Sequence, residues 1–76
     1  MNAQPQLPLE VGRVARDTRT RRLGVVLAVE NRTVRLQAIP SGRVWETHVS
    51  RARRVSAREE LKVRVAAANA RAYHER

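Results

Sequence analysis

The stretch Leu23–Val49, LGVVLAVENRTVRLQAIPSGRVWETHV, decides the fold. Three apolar runs are separated by two turn signals, Asn31-Arg32 and Pro40-Ser41-Gly42. This spacing predicts a three-stranded antiparallel meander. Residues 23–30 place Leu23, Val25, Leu27 and Val29 on one face and Val26 and Ala28 on the other. A strand apolar on both faces is covered on both sides. One face should line a core, and the other needs a cover. Asn31 tolerates the positive φ that tight hairpin turns require, although the usual Asn-Gly is absent. In residues 33–39, Val34, Leu36 and Ala38 point one way, and Arg35 and Gln37 the other. Residues 43–49 set Trp45, Thr47 and Val49 against Val44, Glu46 and His48. Trp45 reads either as a core plug or as an exposed stacking platform. A buried indole offers the largest apolar payload in a chain without Phe.

Working outward, residues 9–16 read as a first strand, with Gly12 marking a bulge or a close backbone contact. The polar loop DTRTRR, residues 17–22, follows and carries three Arg. It is either a phosphate-contacting loop or a solvated loop that happens to be basic. Residues 50–55, SRARRV, read as a single turn and a short closing strand ending at Val55. In a closed barrel the first and last strands become neighbours, which would bring Arg51, Arg53 and Arg54 onto the surface of the Arg16–Arg22 loop. Residues 56–73 read as a helix. Ser56 and Glu59 fit a capping box, and Glu59 and Glu60 suit the positive N-terminal end. The helix body is rich in Ala, with no Gly or Pro. It carries two apolar stripes. Leu61, Val65, Ala68 and Ala72 form one, expected to cover the outer face of the 23–30 strand; Val63, Ala66, Ala67, Ala70 and Tyr73 form the other. Residues 1–8 read as a disordered tail without chemistry. The prediction is a mainly β domain over residues 9–76, a small five-stranded SH3-like barrel (9–55) followed by a C-terminal helix (56–73) packed on it.

The chain has 76 residues, the size of one domain. Such a domain buries only about 60% of the surface its unfolded chain exposes, so a covering helix or a second copy is valuable. There is no Cys to supply disulfides or thiolate ligands. The net charge is +9, shared as +4 over residues 1–50 and +5 over residues 51–76. Lys62 is the only Lys among sixteen basic residues, which a GC-rich coding bias accounts for. That bias does not explain the scarcity of acids. A balance this basic favours polyanions, either nucleic acid or an acidic membrane surface. No secretory h-region or membrane-length apolar run is visible, so the expected setting is soluble and cytoplasmic, without membrane insertion.

Catalysis is not expected. His48 and His74 belong to no metal-spacing motif, the acids are scattered, and no nucleophile or phosphate-cradling motif is present. No cofactor, metal or small-molecule substrate is expected. The leading expectation is binding of DNA or structured RNA, with Arg13, Arg16, Arg19, Arg21, Arg22, Arg35, Arg51, Arg53 and Arg54 as phosphate contacts. With only Trp45 and Tyr73 aromatic, base stacking is poorly supplied, which favours backbone or shape recognition. The alternative is a protein-interaction module. It would use the barrel edge or the helix face Val63, Ala66, Ala70 and Tyr73 to dock on a protein partner or on a second copy as a homo-oligomer. On that reading Ala exposed on this face need not mean an interface, since a solvent-facing stripe of Ala is harmless.

The Val11-Gly12-Arg13-Val14 start, the Gly24-Val25-Val26 strand and the Arg43-Val44-Trp45-Glu46 strand together resemble a small SH3-like barrel of the KOW or Tudor kind. The Trp-Glu strand and the Ala-rich helix ending in Ala68-Asn69-Ala70-Arg71 are also similar to small basic proteins of high-GC actinobacteria. The likeness covers residues 9–73. The KOW resemblance implies contact with RNA, DNA or polymerase in ribosomal or transcriptional settings. The Tudor resemblance implies peptide binding through an aromatic cage, which this sequence lacks. Neither resemblance assigns a role to a particular residue.

Overall fold

The computed structural model describes residues 8–39 and 41–74, with side chains through residue 70. Five antiparallel strands form one sheet: β1 (Val14–Asp17), β2 (Leu23–Glu30), β3 (Thr33–Ala38), β4 (Val44–His48) and β5 (Ala52–Arg54). A 3-10 turn, Val49–Arg51, joins β4 to β5, and one helix, α1 (Ala57–His74), follows. The expected mainly β architecture with a single C-terminal helix is therefore present. All but Pro8 of the tail expected at residues 1–8 lies outside the described residues, as does Pro40 of the second turn.

The sheet order is β4-β3-β2-β1-β5. The meander β2-β3-β4 is the stretch with alternating apolar residues. Strand β1 then slots between β2 and β5, pairing Arg16 with Leu23 on one side and with Arg53 on the other. Strands β4 and β1 are two strands apart in this order. Even so, Trp45 Nε1 donates to Asp17 Oδ2 at 2.9 Å, so the sheet curls until its members meet across the interior. The 3-10 turn bridges the remaining gap. The Val49 amide donates to the Arg32 carbonyl, and the Thr18 amide to the Arg51 carbonyl, each at 2.8 Å.

The core is small and aliphatic. Ala15, Val26, Val34, Leu36 and Ala52 form its buried cluster, with Leu9, Trp45 and Val49 packed against it. Strand β3 alternates as its sequence predicts, with Val34 and Leu36 inward and Arg35 and Gln37 outward. Strand β2 does not. Gly24 and Val26 face the core, whereas Leu27 and Val29 are exposed. Leu23 and Val25 already lie on the less buried face, before a bulge between Val26 and Ala28 shifts the pairing of β2 on β3. Past this extra residue Val29 stands opposite the buried Val34 but stays exposed near the strand end, so Leu23, Val25, Leu27 and Val29 do not form one buried face. Gly24 is required by contact. A Cβ on it would lie 2.8 Å from the Trp45 ring and 2.9 Å from the Gln37 carbonyl oxygen.

The first strand starts later than residue 9. The Arg13 amide donates to the Glu10 carbonyl, and Gly12 sits at φ +92°, so residues 10–13 form a turn and leave Val11 exposed. Gly12 serves that turn, where a side chain would be strained, and it also forms the expected bulge: its amide donates to the Val26 carbonyl at 2.8 Å and the Val26 amide to the Arg13 carbonyl at 2.9 Å, so two residues oppose one. At the hairpin, Asn31 and Arg32 both have positive φ, 49° and 66°. This is the primed turn that suits the twist of the flanking strands. Arg32 occupies a position that favours Gly, at a cost of about 1 kcal/mol. Arg32→Gly should therefore raise stability by roughly that amount. Urea unfolding checks this, and a lower midpoint would contradict it.

The helix is capped as the sequence predicts by Ser56, whose Oγ accepts the Glu59 amide at 3.1 Å. The Glu59 carboxylate does not reach back to Ser56. It pairs instead with Arg16. Glu60 is buried, and Val63, Ala67 and Ala70 are half-buried along the same side of the helix. Leu61 and Val65 are exposed, at 64% and 49%. Of the stripe expected to cover the sheet, Leu61, Val65 and Ala68 are exposed, and of the stripe reserved for a partner, Val63, Ala67 and Ala70 are half-buried while Ala66 is exposed, so the expected rotation is not the one observed.

Candidate nucleic-acid interface

The rotation of α1 is set by Glu60. Its Oε1 accepts the buried amide of Val14 at 3.0 Å, and its Oε2 accepts Arg13 Nη1 at 3.2 Å and Arg64 Nε at 3.0 Å. Arg64 Nη2 continues to the Gly12 carbonyl. The Val14 amide holds the Glu60 carboxyl below the usual carboxylate range. Burial opposes this, and Arg64 and Arg13 reinforce it. The helix is therefore fastened to the start of β1 by a polar clasp. With Glu60 turned inward, Val63 and Ala70 follow it, so these two proposed partner-binding residues are half-buried. Ala66 is exposed. The side chain of Tyr73 lies outside the described residues.

The nine candidate phosphate contacts divide into two groups. Arg13 is engaged by Glu60, and Arg16 by Glu59. Arg35 donates twice to Glu46, at 3.0 and 3.2 Å. Arg54 lies 3.7 Å from Glu10, and its side chain is only 18% exposed. These four are ion-paired within the chain, so their charge is already partly answered. Arg19, Arg21, Arg22, Arg51 and Arg53 are exposed and, among the described residues, have no carboxylate partner.

The backbone brings these five together. Arg19, Arg21 and Arg22 occupy the β1–β2 loop. Arg51 ends the 3-10 turn, whose carbonyl takes the Thr18 amide, and Arg53 lies opposite Arg16 in the β1–β5 ladder. Strand β5 meets the Arg loop because it pairs with β1, while β4 and β5 are the two edges of the sheet and do not pair with each other. Arg32, which the sequence reading did not include, sits beside them through its bond to Val49. Its position at the hairpin tip was visible, but its proximity to the 3-10 turn depends on the curl of the sheet.

Asp17 shapes the loop from beneath. Its side chain is almost wholly buried, at 2% exposure for the residue. Oδ1 accepts the Arg19 amide at 2.9 Å, and Oδ2 accepts the Trp45 indole. The Asp17 carbonyl and amide bond to the Arg21 amide and the Arg22 carbonyl, which closes the loop on itself. Burial by itself would raise the Asp17 pKa. Hydrogen bonds from Trp45, from the Arg19 and Thr20 amides and from the Thr47 side chain outweigh it, and the carboxyl sits below its ordinary value. Arg21 holds φ +64° within this frame. Trp45 is half-buried, with its N–H committed to Asp17, its ring against Gly24 and the Arg22 guanidinium 6.0 Å from its centroid. It packs against the core with a polar handle, and part of its ring stays exposed beneath Arg22.

Among the described residues, no helix is long and apolar enough to cross a membrane. Compared with known proteins, the chain matches no family model, no curated protein and no solved structure.

Proposed function

We propose that this protein binds nucleic acid through backbone phosphates, with little sequence preference. The observation that carries this is the gathering of Arg19, Arg21, Arg22, Arg51 and Arg53 on adjoining backbone segments without carboxylate partners among the described residues. Guanidinium groups held in this way suit phosphate oxygens, which accept their paired donors and gain affinity by counterion release. Trp45 is half-buried with its N–H committed to Asp17, so stacking surface for bases is scarce, which favours a duplex or structured RNA over an unpaired strand. The strand sequence resembles KOW-like barrels and the curled sheet suits that likeness. An accessory, non-enzymatic role linked to transcription or RNA, in the cytoplasm, accords with that resemblance. Docking of a protein on Val63, Ala66 and Ala70 has less support, because two of these three are half-buried.

The test is binding to duplex DNA and to a structured RNA between about 50 and about 200 mM salt. Five engaged arginines predict a logarithmic salt slope of about −4.5 on DNA. Arg21→Glu with Arg22→Glu should weaken binding and flatten the slope by roughly two contacts. No binding of either nucleic acid at the lowest salt would remove this reading.

A further inference from the structure

Where the β1–β2 loop, the β2–β3 hairpin and the 3-10 turn converge, the surface forms a shallow groove. It is lined by Arg19, Thr33, Glu46, Thr47, His48 and Arg51. Two backbone bonds fix its shape, from Thr18 to Arg51 and from Val49 to Arg32. Two of the lining groups are turned to other tasks. Glu46 faces Arg35 through two hydrogen bonds, and Thr47 stands opposite the buried Val34 on the inward face of the sheet. The groups left are donors. Arg19 and Arg51 are exposed guanidinium groups, and Thr33 contributes a hydroxyl.

His48 completes the set, and its hydrogen bonds define which nitrogen does so. Nδ1 accepts the Ser50 amide at 3.0 Å and lies 2.8 Å from the Ser50 hydroxyl. An amide only donates, so Nδ1 must present its lone pair. The neutral ring then carries its hydrogen on Nε2. The groove is thus lined by two guanidinium groups and by two neutral groups able to donate, the Thr33 hydroxyl and His48 Nε2–H. A tetrahedral anion with several acceptor oxygens matches this arrangement.

We infer that the groove seats one backbone phosphate of the bound strand, with charge supplied by Arg19 and Arg51 and directional hydrogen bonds by His48 Nε2–H and the Thr33 hydroxyl. The inference rests on the nucleic-acid reading above and adds to it a particular seat. His48 and Thr33 become ligand contacts, which composition alone gave no reason to choose.

The experiment uses the full chain with a random-sequence DNA duplex and an RNA hairpin, each followed by anisotropy over the same salt series. His48→Asn keeps a side-chain acceptor near the Ser50 amide but has no donor at the reach of Nε2. It should weaken binding by about 10-fold or more, as loss of one neutral donor to a charged phosphate oxygen implies, while leaving the salt slope unchanged. Arg19→Gln with Arg51→Gln should flatten the DNA slope by roughly 1.8. Far-ultraviolet dichroism and thermal midpoints identify any variant that fails to fold, and if His48→Asn fails, Thr33→Val, which removes the other neutral donor without changing charge, decides the matter. If both variants bind like the parent while Arg21→Gln with Arg22→Gln loses affinity, the seat is overturned and the broader reading stands. If the parent binds neither probe at about 50 mM salt, where phosphate contacts are strongest, both fall together.

Discussion

Glu60→Ala should cost about 2–3 kcal/mol of folding stability. The dominant loss is the Val14 amide, which is buried and is left without an acceptor. An unsatisfied buried donor alone costs about 1–3 kcal/mol. The two guanidinium partners add less. Arg13 and Arg64 have side chains 53% and 46% exposed, so water can replace much of what Glu60 gave them. At about 0.05–0.15 kcal/mol per residue, a domain of this length has about 4–11 kcal/mol in total. The substitution should therefore lower the thermal midpoint by roughly 10–20 °C. Glu60→Gln retains an oxygen for the Val14 amide and should lose about half as much. Urea unfolding of the three chains checks this ordering. An alanine chain with the parent's midpoint would show that the clasp does not hold the helix.

Asp17→Ala should have a comparable effect on stability, about 2–4 kcal/mol, and a second effect on binding. It removes the acceptor of the Trp45 indole and of the Arg19 amide together. The indole loses its link to β1, and the loop bearing Arg19, Arg21 and Arg22 loses its inner support. Nucleic-acid affinity should fall even though no positive charge has been removed. Asp17→Asn keeps one acceptor but turns an amino group toward a donor, so it should lie between the parent and the alanine chain. The same two carboxyls give the protein its acid sensitivity. Each is held below its ordinary pKa in the folded chain. Their stabilisation is thus complete above the unfolded values, near 4, and is lost as pH falls through the folded ones. Urea midpoints should be level from about pH 7 to about pH 5 and drop below about pH 4. The drop should be shallower in either alanine chain. Equal acid sensitivity in all three would contradict these assignments.

What the sequence made legible was whatever repeats at a fixed interval. Val34, Leu36, Arg35 and Gln37 alternate, so β3 and its faces could be read directly. Ser56 followed by Glu59 marked the helix start, and the Asn31-Arg32 hairpin lay between two apolar runs. The features that escaped depend on single residues meeting across the fold. The bulge beside Leu27 arises where β2 must bend against β3, and nothing in LGVVLAVE distinguishes it. The helix has apolar residues on two sides, so its rotation could not follow from hydrophobicity. It follows from one carboxylate, Glu60, reaching an amide 46 residues earlier. Within the candidate interface the nine arginines were visible as charges, but their acidic partners were not. Glu59, Glu60, Glu46 and Glu10 are scattered in sequence, and only the folded chain pairs them with Arg16, Arg13, Arg35 and Arg54.

The placement of Trp45 has an optical consequence. It is the chain's only tryptophan. Its indole N–H meets a carboxylate on another strand, and a guanidinium lies over its ring. Its emission therefore comes from one environment, assembled only when β4 and β1 are brought together. A shift in that emission follows curling of the sheet, and engagement of Arg22 by an anion would alter the same signal. The molecule thus carries an intrinsic fluorophore at the junction between its fold and its proposed interface, readable without a label.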